Sequence, residues 1–122
     1  MSWDASLACD TCGCDNGRDW SVTHNTSPMI YAALTAQGFE LPPSKWRSTG
    51  TVGWYEHLDG MSAEEGAEYL RLIVSGLEAD PERFREMNPV NGWGDYDGLI
   101  KVLREMRDAS IDACSARWAA SG

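Results

Sequence analysis

Between residues 62 and 78 apolar side chains recur at helical spacing. Ala67, Leu70, Ile73, Val74 and Leu77 fall on one face, and Glu64, Glu65, Glu68 and Arg71 fall on the other. Ser62 followed three residues later by Glu65 is a capping box, in which each side chain accepts the other residue's backbone N–H. The pattern predicts a helix over 63–78. A helix with a single apolar stripe has to bury it, so the rest of the chain must supply a partner layer.

The start of the chain has a different period. Trp3, Ala5, Leu7 and Cys9 alternate with Asp4, Ser6 and Ala8, and Trp20 and Val22 resume the alternation beyond the turn-forming stretch 10–17. Residues 3–9 and 18–24 are therefore expected to form a hairpin with a long loop. Asn25-Thr26-Ser27-Pro28 opens a helix with polar caps and a proline whose missing N–H costs nothing there. Met29, Ile30, Ala33 and Leu34 follow at helical spacing, and Gly38 is its stop. Pro42-Pro43 breaks the chain, and residues 51–55 read as a short strand weakened by Gly53. Asp80-Pro81 starts a short helix through Met87. Asp95 is the expected cap of a last helix over 96–118, with Leu99, Val102, Leu103, Met106 and Ala113 as its stripe. The expected class is α+β: an N-terminal β-hairpin, with a third short strand as an addition, packed on three to four helices in a single domain spanning residues 1–122.

A 122-residue chain is long enough to bury a core without disulfides or metal. Its formal charge of −9 repels phosphates and anionic lipid, so neither nucleic acid nor membrane is an expected partner. The basic residues that could still gather locally are Arg83, Arg85, Arg104 and Arg107. No apolar run reaches the length of a membrane span, and the N-terminus has no secretion signal, so the expected location is cytoplasmic. The four cysteines stand as three together and one far away, a poor disulfide framework that fits a reduced compartment.

Three groups of residues carry chemistry. Thr23-His24-Asn25 and Asn91-Gly92-Trp93-Gly94-Asp95-Tyr96 each lead into a helix, where unpaired N–H groups and a partial positive charge suit an anion. Trp93 can stack on a planar ring, the glycines let backbone approach a ligand, and Asn25 and Asn91 can both donate and accept. If the two starts converge, Thr23, His24, Asn25, Asn91, Trp93, Asp95 and Tyr96 make a pocket for a nucleotide-like molecule. The plainer reading is that Asp95 only caps its helix, Trp93 packs on Leu99 and Tyr96, and Asn25 ends a strand. The second group is Cys9-x-x-Cys12-x-Cys14, half of a zinc knuckle, with Cys114 or His24 as the fourth ligand of a structural zinc; against it, cysteines in a turn are often bystanders. The third is His24 as a base oriented by Asp95 or Asp97. His57 is expected to be exposed.

Trp20-Ser21-Val22-Thr23-His24-Asn25-Thr26-Ser27-Pro28-Met29, Asp80-Pro81-Glu82-Arg83-Phe84 and the segment from Met87 through Asn91-Gly92-Trp93-Gly94-Asp95-Tyr96 to Leu99 occur in this order. Together they resemble a family of short uncharacterised proteins of actinobacteria, other bacteria and their bacteriophages, over about residues 3–114. The resemblance implies a phage or prophage setting, and hence a host bacterial cytoplasm, but no activity. It does not extend to the cysteine cluster or to 39–56. The leading expectation is a small-ligand-binding protein that sequesters a nucleotide-like molecule. The alternative is a protein-interaction or structural module of a phage, binding a host protein or a second copy of the chain through exposed Trp46, Trp54 and Trp118. A further alternative is a small hydrolase using His24.

Overall fold

The computed structural model describes residues 2–9, 15–23, 26–43, 50, 52–88, 95–112 and 116–121. Two strands open the chain, β1 (Ser2–Cys9) and β2 (Asp15–Thr23). Helices α1 (Ser27–Ala36), α2 (Trp54–Leu58), α3 (Ala63–Ala79), α4 (Pro81–Arg85) and α5 (Tyr96–Asp112) follow, and β3 (Ala116–Ser121) ends the order. β1 is central in a sheet ordered β2-β1-β3 and runs antiparallel to both neighbours. The fold is α+β with an N-terminal hairpin, as the change of period predicts.

The alternation of β1 decides which face of the sheet is inside. Ala5 and Leu7 are buried and Asp4 is exposed. Trp20 lies opposite Ala5, and Trp118 opposite Leu7. Residues directly opposed across strands share a face, and the two indoles meet with ring centroids 5.4 Å apart.

Against this face lie the helices. The capping box of α3 forms as expected: Glu65 N–H donates to Ser62 Oγ at 3.2 Å, and Ser62 N–H donates to Glu65 Oε1 at 3.2 Å. Leu70, Ile73, Val74 and Leu77 of α3 pack with Met29, Ile30, Ala33 and Leu34 of α1 and with Leu99, Ile100, Leu103 and Met106 of α5. α3 is thus the shared partner of both other long helices. Gly76 allows α1 to come close, since a Cβ there would stand 2.6 Å from the Ala33 carbonyl oxygen.

The last helix departs from expectation. It ends at Asp112 rather than 118, and Ala116–Ser121 form β3 on the far side of β1. An Ala-rich segment favours helix locally, but pairing with the open edge of β1 and burial of Trp118 outweigh that preference. Nor do residues 52–55, the described part of the expected strand 51–55, form one: Gly53 is an extended N-cap and the chain is helical from Trp54. The segment after α2 then covers the outer edge of β3. Gly60 N–H donates to the Trp118 carbonyl at 2.9 Å, Trp118 N–H to the Met61 carbonyl at 2.8 Å, and Ala120 N–H to Asp59 Oδ1 at 2.9 Å. An edge closed in this way offers no template to another strand.

Trp54 and Trp118, expected to be exposed, are 0% and 1% exposed and belong to the core. Their indole N–H groups can be buried because each finds a serine hydroxyl, that of Ser27 at 3.4 Å and that of Ser110 at 3.1 Å. Trp46 lies outside the described residues.

Candidate functional site

Of the residues proposed to form a pocket at two helix starts, His24, Asn25, Asn91 and Trp93 lie outside the described residues. Thr23 ends β2, with its backbone opposite Ser2. Asp95 and Tyr96 are fully placed. Asp95 caps α5: its Oδ1 accepts the Gly98 N–H at 2.7 Å, and its carbonyl accepts the Leu99 N–H at 3.1 Å. Asn88, eight residues earlier in the chain, accepts the Tyr96 N–H on its Oδ1 at 2.8 Å.

Tyr96, expected to line a pocket, is instead a core strut. Its ring stacks on Phe84 at 6.2 Å, the Arg85 guanidinium lies 5.3 Å from its centroid, and its hydroxyl donates to the Leu77 carbonyl at 2.8 Å. Burial pushes its phenol above the ordinary value.

These bonds change what the α5 start can hold. The Tyr96, Gly98 and Leu99 N–H groups are taken by the protein itself, and Asp95 and Asp97 place two carboxylates there. An anion gains little at a helix start already occupied by acids. The α1 start differs: it has no acidic residue in its first turn and no side-chain cap bond. The two starts are also tied to different levels of α3. Ser27 holds Trp54, whose carbonyl accepts the Tyr69 hydroxyl at 2.9 Å, whereas Tyr96 holds Leu77. Tyr69 and Leu77 are eight residues apart on α3, about 12 Å along its axis.

A second place has the shape of a ligand site. The end of α1 is a Schellman turn. Gly38 takes a φ of 75°, its N–H donates to the Thr35 carbonyl at 3.0 Å, and the Phe39 N–H donates to the Leu34 carbonyl at 2.9 Å. A residue with a Cβ is strained at that φ, which is why glycine stands there. The turn folds Phe39 back toward Leu34. Tyr31, Leu34, Thr35, Phe39, Glu40 and Leu41 then line a groove of about 290 Å³.

Phe39 is backed by two further rings, His57 at 5.7 Å and Tyr69 at 5.7 Å, and His57 and Tyr69 meet edge-on at 5.0 Å. His57, expected to be exposed, is therefore half-buried, and burial pushes its imidazole below the ordinary value. Around the rim, the Tyr31 hydroxyl accepts the Trp54 N–H at 3.3 Å and Thr35 Oγ1 donates to the Tyr31 carbonyl at 3.0 Å, while Glu40 is exposed. Sequence reasoning missed this groove. The available signal was a glycine stop followed at once by a phenylalanine, the apolar residue that folds back in a Schellman turn.

Among the described residues no group of three or more His, Cys, Asp or Glu side chains could hold a metal. Cys9 closes β1, and Cys12, Cys14 and Cys114 lie outside the described residues. Of the basic residues named as a possible cluster, Arg85 lies 3.1 Å from both Glu82 and Asp97, Arg104 lies 3.2 Å from Glu78, and Arg107 lies 3.1 Å from Asp108. Arg83 lies over the Phe84 ring at 5.5 Å. No helix among the described residues is long and apolar enough to cross a membrane. Comparison of the chain with family models, with curated proteins and with solved structures found no match.

Proposed function

We propose that this chain is a small-ligand-binding protein whose ligand carries a flat, nucleobase-like ring. The observation that supports the reading is the groove beside α1. Leu34, Phe39 and Leu41 give it apolar walls, and Tyr31, Thr35 and Glu40 give it polar groups. Its volume of about 290 Å³ is at the small end for ligand pockets. Glu40 is the charged residue of its lining, so the uncharged base or nucleoside part of a ligand suits it better than a phosphate. With the phage setting that the resemblance implies, the role assigned is sequestration of a nucleotide-like molecule of the host. The protein-interaction alternative loses its main sequence support, because Trp54 and Trp118 are core residues.

The test is native mass spectrometry of protein purified from cells, followed by titration of adenosine and of adenosine monophosphate, with NMR shifts read at Tyr31, Thr35 and Phe39. The expected result is a retained or added ligand, stronger shifts with the nucleoside than with the nucleotide, and loss of both in Phe39→Ala. A base-stacking contact of this kind is worth about 1–3 kcal/mol. Loss of binding in Trp93→Ala, with Phe39→Ala unaffected, would move the site to the helix starts. A protein that carries no small molecule and gives no shift with either probe would end the ligand-binding reading.

A further inference from the structure

The polar residues of the groove beside α1 differ in the hydrogen bonds they have left to make. Tyr31, Leu34 and Thr35 stand at i, i+3 and i+4 of α1 and so share one face of the helix. Glu40 directly follows Phe39, so the apolar wall and the carboxylate come from one turn. The Tyr31 hydroxyl oxygen accepts the Trp54 N–H at 3.3 Å, which points its own hydrogen away from Trp54, and no described residue accepts that hydrogen. Thr35 Oγ1 gives its hydrogen to the Tyr31 carbonyl at 3.0 Å and keeps only lone pairs. Glu40 is exposed, and among the described residues none donates to its carboxylate.

The groove thus offers acceptors at Thr35 and Glu40 and a donor at Tyr31. An ionised carboxylate accepts and cannot donate, and Thr35 is in the same position once its hydrogen is taken. A ring with an amino group beside a bare ring nitrogen matches this set: two hydrogens for the two acceptors and a lone pair for the phenol. A ring with an oxo group beside a ring N–H brings a single hydrogen to the same two acceptors, so one of them loses its partner when the ligand covers it. The formal charge of −9 acts in the same direction, because a negative field favours the positive edge of an amine over a carbonyl oxygen.

We infer that the groove takes an amino-substituted heterocycle, which presents an exocyclic amino group and the adjacent ring nitrogen, as adenine and cytosine do, to Glu40, Thr35 and Tyr31. This rests on the reading of the groove as the ligand site and adds to it which rings are accepted. The amino hydrogens go to Glu40 and Thr35, the ring nitrogen accepts the Tyr31 O–H, and the ring lies against Phe39. No covalent bond forms or breaks.

The experiment titrates the full-length chain with adenosine, inosine, cytidine and uridine and follows the amide shifts of Tyr31, Thr35 and Phe39. Within each pair the rings differ only in the amino or oxo group and the protonation of the neighbouring nitrogen. The amino member of at least one pair should bind about 3–10-fold more tightly than its oxo counterpart, the net worth of one hydrogen bond. The adenosine–inosine pair reads a purine ligand and the cytidine–uridine pair a pyrimidine. Glu40→Gln should bring that ratio close to one, because a glutamine amide can turn its N–H to a carbonyl, and Thr35→Val should do the same by leaving no acceptor to go unpaired. Both side chains are exposed, so neither substitution disturbs the core. Phe39→Ala should weaken both members of a pair alike, and so reports on the groove rather than on the choice of ring. Equal binding of amino and oxo members that is lost in Phe39→Ala would overturn this inference and leave the groove as the ligand site. Tighter binding of the oxo members, or a preference that survives either Glu40→Gln or Thr35→Val, would overturn it too. Binding of none of the four nucleosides would end the groove reading and this inference with it.

Discussion

Trp54 and Trp118 are both almost completely buried, and both place the indole N–H on a serine hydroxyl, yet they are held in opposite ways. Trp118 belongs to β3, and its backbone is fixed on both sides, by β1 and by Gly60 and Met61. Its side chain has only to find room. It does so over Gly66 of α3, where a Cβ would collide with the indole, and Ser110 of α5 accepts its N–H and passes a hydrogen bond on to the Ala63 carbonyl. Trp54 opens a helix of five residues, too short to hold itself. Side chains hold it instead: Tyr31 accepts its backbone N–H, Tyr69 donates to its carbonyl and Ser27 takes its indole. A ladder fixes a strand and leaves packing to fit around it; a short helix depends on polar side chains from the elements it touches.

The largest effect expected from this contrast is that of Trp118→Ala. It empties the space over Gly66 and strips Ser110 of a partner, a loss of about 3–5 kcal/mol by chemical denaturation. A loss below about 1 kcal/mol would mean that the ladder alone, and not the side chain, holds β3. Gly66→Ala should come next. It gains up to about 1 kcal/mol in helix propensity but forces the indole off its seat, an overpacking cost of about 1–3 kcal/mol. A stabilised Gly66→Ala would show that Trp118 can shift freely.

On the other side of the comparison, Tyr69→Phe leaves the ring in place and removes the donor to the buried Trp54 carbonyl, at about 1–3 kcal/mol. Amide hydrogen exchange should then quicken in α2 and leave β3 unchanged. Uniform quickening would show that α2 is not held separately. The smallest effect concerns pH. His57 is protonated more readily in the unfolded chain than in the folded one, because burial among Phe39 and Tyr69 holds its pKa down. The unfolded state then binds the extra proton, so this contribution is present above the ordinary histidine value of about 6.5 and is lost as pH falls below it. Glu65 works in the same direction at lower pH, where its carboxylate, held below the ordinary glutamate value by hydrogen bonds from Ser62, becomes protonated. His57→Phe should flatten the thermal-melting profile between neutral pH and about 5 and leave the acid limb in place. An unchanged profile would mean that His57 titrates in the native state as it does in water.

Much of the fold is legible in the residues, and the reasons are local. The capping box of Ser62 and Glu65, the stripe of α3, the alternation of Ala5 and Leu7 and the proline-led starts at Pro28 and Pro81 need only near neighbours to express themselves. The candidate site was less legible. The spacing alone marks Asp95 as a cap, but nothing near Tyr96 in sequence announces Leu77 or Phe84, and nothing near Phe39 announces His57 or Tyr69.

Sequence alone therefore determined where α1, α3, α4 and α5 begin and that the N-terminal residues pair as a hairpin, because caps, turns and periodicity act within a few residues. Tertiary structure decided the rest. Ala116–Ser121 became a strand because β1 had an edge to fill. Trp54 and Trp118 went inside because serines on other elements could take their N–H groups. A groove formed beside α1 because the turn at Gly38 folded Phe39 against rings that lie 18 and 30 residues further along the chain. Each of these outcomes rests on contacts between distant segments, whose free energy exists only once the layers have packed.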